Sequence, residues 1–221
     1  MTRVKICGVT SAEAAVECAR LGADSIGVNF ISASPRRVDE QVARAIVRAV
    51  EGQVVVVAVV ADRSVLEMRR LKEATGVDCF QMHGDETPDV VAAMLPHAYK
   101  ALRVRGPEDV ARADEIPGDY ILVDAKVDGA LGGTGTVFDW KLVTALARRR
   151  RLTLAGGLTP DNVGAAIHAV RPWCVDAASG VEDGYYIKDL DRVSAFIEAV
   201  RIADRFSNPP SIQASGPFGR V

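Results

Sequence analysis

Five places in this sequence carry groups able to move a proton or hold an anion, and each closes a short apolar run. Cys7 ends residues 3–7, where Lys5 and Cys7 point to one side and Val4 and Ile6 to the other until Gly8 breaks the strand. His83 follows 78–82, Asp124 follows 120–123, Gly156-Gly157 follows 152–154 and Ser179-Gly180 follows 174–177. A thiolate and a carboxyl on opposite sides of a bound molecule make a general base and a general acid. Small residues in tight turns let backbone amides approach phosphate oxygens. Each group also has a plain structural use. Cys7 can be a buried structural cysteine, Asp124 a strand-end carboxylate capping amides, and His83 a satisfied structural histidine. Lys5, on the Cys7 face, could form a Schiff base, or be the cation that offsets the rise in thiol pKa expected in an anion-binding site. Asp62 and Arg103 are expected to be solvated loop charges and are assigned no role.

The elements that must position these groups alternate strictly. Strands are expected at 3–7, 25–30, 53–60, 78–82, 98–104, 120–123, 152–154 and 174–177. Helices are expected at 11–21 behind Thr10 or Ser11, then at 39–50, 64–75, 88–95, 107–116, 139–148, 159–170 behind a Thr-Pro-Asp cap, and 190–202. The continuous valines of 54–57 suit a strand buried on both faces. Eight such units predict one parallel (β/α)₈ barrel over residues 1–204, in which all five places converge on the C-terminal mouth. An open doubly wound sheet would carry a glycine fingerprint after its first strand, which is absent. The longest inserted loop, 125–137, holds Gly132-Gly133-Thr134-Gly135 and is either merely flexible or a lid. The Pro-, Gly- and Ser-bearing residues 205–221 read as a flexible tail, and the basic run 148–151 as a solvated helix end.

Composition narrows the partners. A net charge of −2 argues against a nucleic-acid surface, leaving small molecules. The four cysteines are scattered without a CxxC pair, which suits reduced thiols better than a disulfide framework or a zinc site. No charged-then-apolar signal region opens the sequence, and the apolar run 54–61 is far too short for a bilayer. A cytoplasmic protein without membrane contact is the expectation. His83 alone cannot supply the ligand set of a metal-dependent epimerase, so no metal is expected.

Taken in order, Lys5-Ile6-Cys7-Gly8-Val9-Thr10, Ser34-Pro35-Arg36-Arg37, Gln81-Met82-His83-Gly84-Asp85-Glu86, Leu122-Val123-Asp124, the Gly132–Gly135 loop with Phe138-Asp139-Trp140, Ala155-Gly156-Gly157-Leu158 and Ser179-Gly180-Val181-Glu182 resemble the phosphoribosylanthranilate isomerase family nearly throughout, up to about residue 202. The resemblance implies a (β/α)₈ barrel and an Amadori rearrangement in tryptophan biosynthesis, without cofactor. It implies Asp124 as the acid that opens the furanose ring, Cys7 as the base that takes the C2 proton, and Arg36 as partner of the anthranilate carboxylate. The phosphate is expected on Gly156, Gly157, Ser179 and Gly180, with His83 and Gly133 also at substrate-binding positions. Association with other tryptophan-pathway enzymes is a further implication. Asn29, Ala61-Asp62, Thr136, Ala178 and Tyr185-Tyr186 depart from the family pattern, the last standing where Pro-Gly is usual. A barrel of this ancestry acting on another aminoaldose phosphate would accommodate those changes. A non-catalytic phosphate-binding barrel is the reading that retained Cys7 and Asp124 oppose.

Overall fold

The computed structural model describes residues 1–124 and 140–205. Its strands are β1 (Arg3–Cys7), β2 (Ser25–Asn29), β3 (Val55–Val60), β4 (Cys79–Met82), β5 (Ala98–Arg103), β6 (Tyr120–Asp124), β7 (Arg151–Ala155) and β8 (Cys174–Ala177). Helices α1 (Ala12–Leu21), α2 (Glu40–Ala49), α3 (Val65–Thr75), α4 (Pro88–Met94), α5 (Pro107–Ala111), α6 (Lys141–Arg149), α7 (Val163–Val170) and α8 (Leu190–Arg205) alternate with them. Each strand pairs in parallel with the next and β8 returns to β1, closing the barrel. The expected architecture is therefore the observed one. No described helix is long and apolar enough to cross a membrane.

Strand alternation separates two interiors. Val4 and Ile6 of β1, Ile26 and Val28 of β2 and Leu152 and Leu154 of β7 face outward into the apolar layer under the helices. The opposite set, including Val57, Cys79, Tyr99, Leu122 and Ala155, fills the barrel itself. That inner set is more polar than the valine-rich sequence suggests, because Lys5, Gln81, Arg151, Thr153 and Asp176 are buried as well. The helices are punctuated locally. Ser11 accepts from the Ala14 amide at the start of α1, Ser64 and Glu67 form a reciprocal capping box on α3, and left-handed Gly22 and Gly76 end these two helices.

Several expected boundaries move. β3 begins at Val55, because Gln53 lies in a turn that bonds back to Val50. The 107–116 segment is a five-residue helix followed by a 3₁₀ turn, Arg112–Glu115. The Thr-Pro-Asp sequence does not cap the seventh helix, which starts at Val163. Instead Asn162 folds back, its Oδ1 accepting from the Thr159 amide at 2.8 Å and its Nδ2 donating to the Gly157 carbonyl at 3.0 Å. The basic run is not one solvated cap: Arg148 and Arg149 are exposed, but Arg151 begins β7 and points into the barrel floor. There it donates to Tyr120 Oη at 2.6 Å and lies 5.0 Å from the centre of that ring, so a cation is buried on an aromatic rather than left in water. Arg150 donates to the Ala113 and Ile116 carbonyls. The expected Gly132–Gly135 lid, with Gly133, and all but the first residue of the expected tail lie outside the described residues.

Candidate active site

The strand ends enclose a cavity of about 360 Å³ at the C-terminal mouth. Cys7, Arg36, His83, Asp124, Gly156, Gly157, Ser179 and Gly180 all line it, so the structure brings together every described residue that the sequence proposed. The three sides of the cavity differ in construction.

On the β1/β8 side, Cys7 occupies the last position of β1, with Gly27 of β2 beside it. A side chain at Gly27 would come within 2.6 Å of the Cys7 sulfur and 3.1 Å of Lys5 Nζ, so the glycine makes room for both groups. Lys5 is buried and donates to Asp176 Oδ2 at 2.8 Å. Burial pushes the Cys7 thiol above its ordinary value; Lys5 pulls it down, Asp176 pushes it up, and Lys188 lowers it further. The balance stays upward because burial outweighs what the cations return, with Asp176 adding to the rise. Burial likewise raises the other thiols, Cys18 to about 11 and Cys79 to about 12.

Arg36 leans over the same side. Its Nε and Nη2 donate to the two carboxylate oxygens of Glu182 at 2.7 and 2.6 Å, and Lys188 Nζ bonds Glu182 Oε1 from within. Glu182 is thereby held below the usual carboxylate range even though burial opposes this. Two cations against one carboxylate leave the cluster with a net positive charge toward the cavity.

On the β4/β6 side, Asp124 ends β6 and its Oδ2 lies 3.6 Å from His83 Nε2. A chain of polar groups stands behind the imidazole. Buried Tyr99 donates to Gln81 Oε1 at 3.1 Å, and Gln81 Nε2 lies 3.1 Å from His83 Nδ1. With the Gln81 amide so oriented, Nδ1 accepts and Nε2 carries the proton that faces Asp124. His83 is thus satisfied by Gln81 on one nitrogen and lines the cavity with the other edge. Arg103 is exposed, as expected, and also lines the cavity; together with His83 it borders a second cavity of about 400 Å³. Asp62 is exposed, as expected, and also accepts from the Asp85 amide at 2.6 Å, which ties two loops together.

The third side is backbone. Gly156 and Gly157 have φ of 100° and 70°, a left-handed path that side-chain-bearing residues rarely follow. Gly180 packs so closely on this turn that a Cβ would meet the Leu158 carbonyl at 1.9 Å. The turns after β7 and β8 thus form one small-residue surface, bordered by Ala178, whose carbonyl accepts from Lys188. Among the described residues, no three His, Cys, Asp or Glu side chains are grouped to hold a metal ion.

Sequence reasoning missed Asp176, Glu182 and Lys188 as working parts. Asp176 was open to discovery by parity, since it lies two residues after Cys174 on the inward face of β8. Nothing local marked Lys188, which reaches the site only through the loop that follows β8.

The fold and this cavity define a (β/α)₈-barrel protein with a thiol and a carboxyl facing a shared anion-suited mouth. The family model for N-(5'phosphoribosyl)anthranilate (PRA) isomerase matches residues 4–199. The chain belongs to this family. It is 46% identical over 202 residues to N-(5'-phosphoribosyl)anthranilate isomerase of Pseudomonas aeruginosa strain LESB58, covering 90% of this chain and 95% of that protein. Phosphoribosyl anthranilate isomerase from Thermotoga maritima superposes with a TM-score of 0.83 at 35% identity, over 91% of this chain and 99% of the other. A phosphoribosyl anthranilate isomerase in complex with reduced 1-(o-carboxyphenylamino)-1-deoxyribulose 5-phosphate superposes with a TM-score of 0.80 at 32% identity, with the same two coverages.

Proposed function

We propose that the protein catalyses the Amadori rearrangement of N-(5-phosphoribosyl)anthranilate to 1-(2-carboxyphenylamino)-1-deoxyribulose 5-phosphate, the isomerisation step of tryptophan biosynthesis. The observation that carries this reading is the placement of Cys7 and Asp124 at the ends of β1 and β6 as walls of one cavity, with the small-residue turns after β7 and β8 beside them.

Asp124 gives a proton to the furanose ring oxygen as the C1–O bond breaks, so the nitrogen lone pair forms the Schiff base and the oxygen leaves as a hydroxyl. The Cys7 thiolate then removes the proton from C2, whose electrons flow toward the iminium and give the enolamine. Tautomerisation moves a proton from the C2 hydroxyl to C1 and leaves the ketone. Reactant and product are isomers: the proton Asp124 gives is matched by the one Cys7 takes, and exchange with solvent returns the carboxylate and the thiol to their starting states. Arg36 is the partner of the anthranilate carboxylate: its Nη1 edge is not used by Glu182, and Lys188 offsets the charge of that glutamate. The phosphate rests against Gly156, Gly157, Ser179 and Gly180. His83 keeps a protonated nitrogen toward Asp124.

The direct test is conversion of N-(5-phosphoribosyl)anthranilate by the purified protein in excess EDTA, followed by chromatography. Formation of the open-chain ketose, together with growth without tryptophan of a strain lacking this isomerase, is the expected result. A protein that converts another aminoaldose phosphate but not this one would overturn it.

A further inference from the structure

Arg36 is fastened on three sides, and the third fastening comes from a residue that the fold strains to supply. Its stem lies on Gly8, where a Cβ would meet Arg36 Cδ at 2.4 Å. Its fork is held by Glu182. The ring of Tyr186 stacks on the guanidinium, 4.9 Å from its carbon to the ring centre. Tyr186 has φ of 63°, a left-handed conformation that is unfavourable for a bulky side chain, and it remains half-exposed.

The loop that carries it is built to hold that conformation. The Asp183 amide donates to the Ile187 carbonyl at 3.1 Å, and the Asp183 carboxylate accepts from the Tyr185 amide at 2.8 Å. A bridge between Glu182 and Lys188 closes its base. Consequently the two residues that pair around Arg36 also form the stem of the loop that places the ring. Neighbouring Tyr185, by contrast, is 81% exposed and makes no ring contact among the described residues.

We propose that Tyr186 is a positioning residue that acts through Arg36 and sets affinity for the carboxylate-bearing aromatic end of the substrate. The ring shields one face of the guanidinium from water, and a less hydrated guanidinium held in one plane binds a carboxylate more tightly. The phosphate end, on the turns after β7 and β8, is independent of it. This rests on the function proposed above, but it concerns binding at one end of the ligand and not the chemistry.

The test compares Tyr186→Phe, Tyr186→Leu and Tyr186→Gly with Tyr185→Leu as control, measuring kcat and KM, inhibition by anthranilate and by inorganic phosphate, and melting temperature. Leu and Gly at 186 are expected to raise KM and the anthranilate inhibition constant by about three- to tenfold, as for loss of one cation–π contact. Phosphate inhibition and kcat should stay within about twofold, a change too small for a lost proton transfer. Phe should restore the wild-type KM, and Gly should raise the melting temperature while weakening anthranilate. Unchanged KM in Tyr186→Leu, or equal weakening of anthranilate and phosphate, would overturn the proposal while the wild type still turns over. No turnover by the wild type would instead overturn the functional reading.

Discussion

The Cys7 side of the mouth, proposed to hold the base, and the Asp124 side, proposed to hold the acid, are built differently. Around Cys7, each charged group is pinned by another: Lys5 by Asp176, Arg36 by Glu182, Glu182 by Lys188. On the Asp124 side, Oδ2 lies 3.6 Å from His83 Nε2, Arg103 Nη2 lies 3.5 Å from the His83 carbonyl behind it, and a second cavity opens beside them. The difference follows from the chemistry each side is proposed to do. A partly buried thiol is a poor base unless fixed charges hold its proton affinity within reach, so its surroundings must be set before substrate arrives. A carboxyl that gives up a proton needs reach toward the ring oxygen, so it must border the cavity where that oxygen would sit.

The largest expected effect lies on the acid side. Asp124→Asn keeps the shape and removes the transferable proton, so kcat/KM should fall by about 10² to 10⁴. A loss below tenfold in folded protein would place the acid elsewhere. On the base side, Cys7→Ser should cost at least about 10², because an alkoxide is far less accessible than a thiolate. Serine at Cys18, Cys79 or Cys174 should leave kcat nearly unchanged; a comparable loss from any of these would remove the special status of Cys7.

Lys5→Met sharpens the comparison by unpinning the base. Lys5 lowers the Cys7 pKa, so without it the thiolate forms only at higher pH and the rising limb of kcat/KM against pH should move upward. It also strands Asp176, and breaking a buried pair costs about 3–5 kcal/mol, so the melting temperature should drop as well. A limb that stays in place while stability falls would reduce Lys5 to scaffolding. The smallest effect is expected from His83→Asn. At 3.6 Å its contact with Asp124 is longer than a hydrogen bond, so kcat should fall by less than about tenfold. A loss equal to that of Asp124→Asn would make the histidine a full partner in proton transfer and erase the asymmetry between the two sides.

The sequence by itself determined the (β/α)₈ order, because period-two runs, period-3.6 runs and turn residues are local signals that repeat eight times. It also placed Cys7, His83, Asp124 and the two glycine turns at one mouth, because every strand in a parallel barrel ends on the same face. Tertiary structure decided the remainder. That Arg151 is buried on Tyr120 depends on a strand starting one residue earlier than its apolar run. That Arg36 is held by Glu182, 146 positions away, and Lys5 by Asp176, 171 positions away, depends on barrel closure between β8 and β1. Tyr186 reads locally as an exposed loop residue, and only the left-handed turn that sets its ring on Arg36 gives it a task. Local patterns record which face a residue occupies; the pairing of charges across a closed barrel is a distance in space, which no stretch of sequence contains.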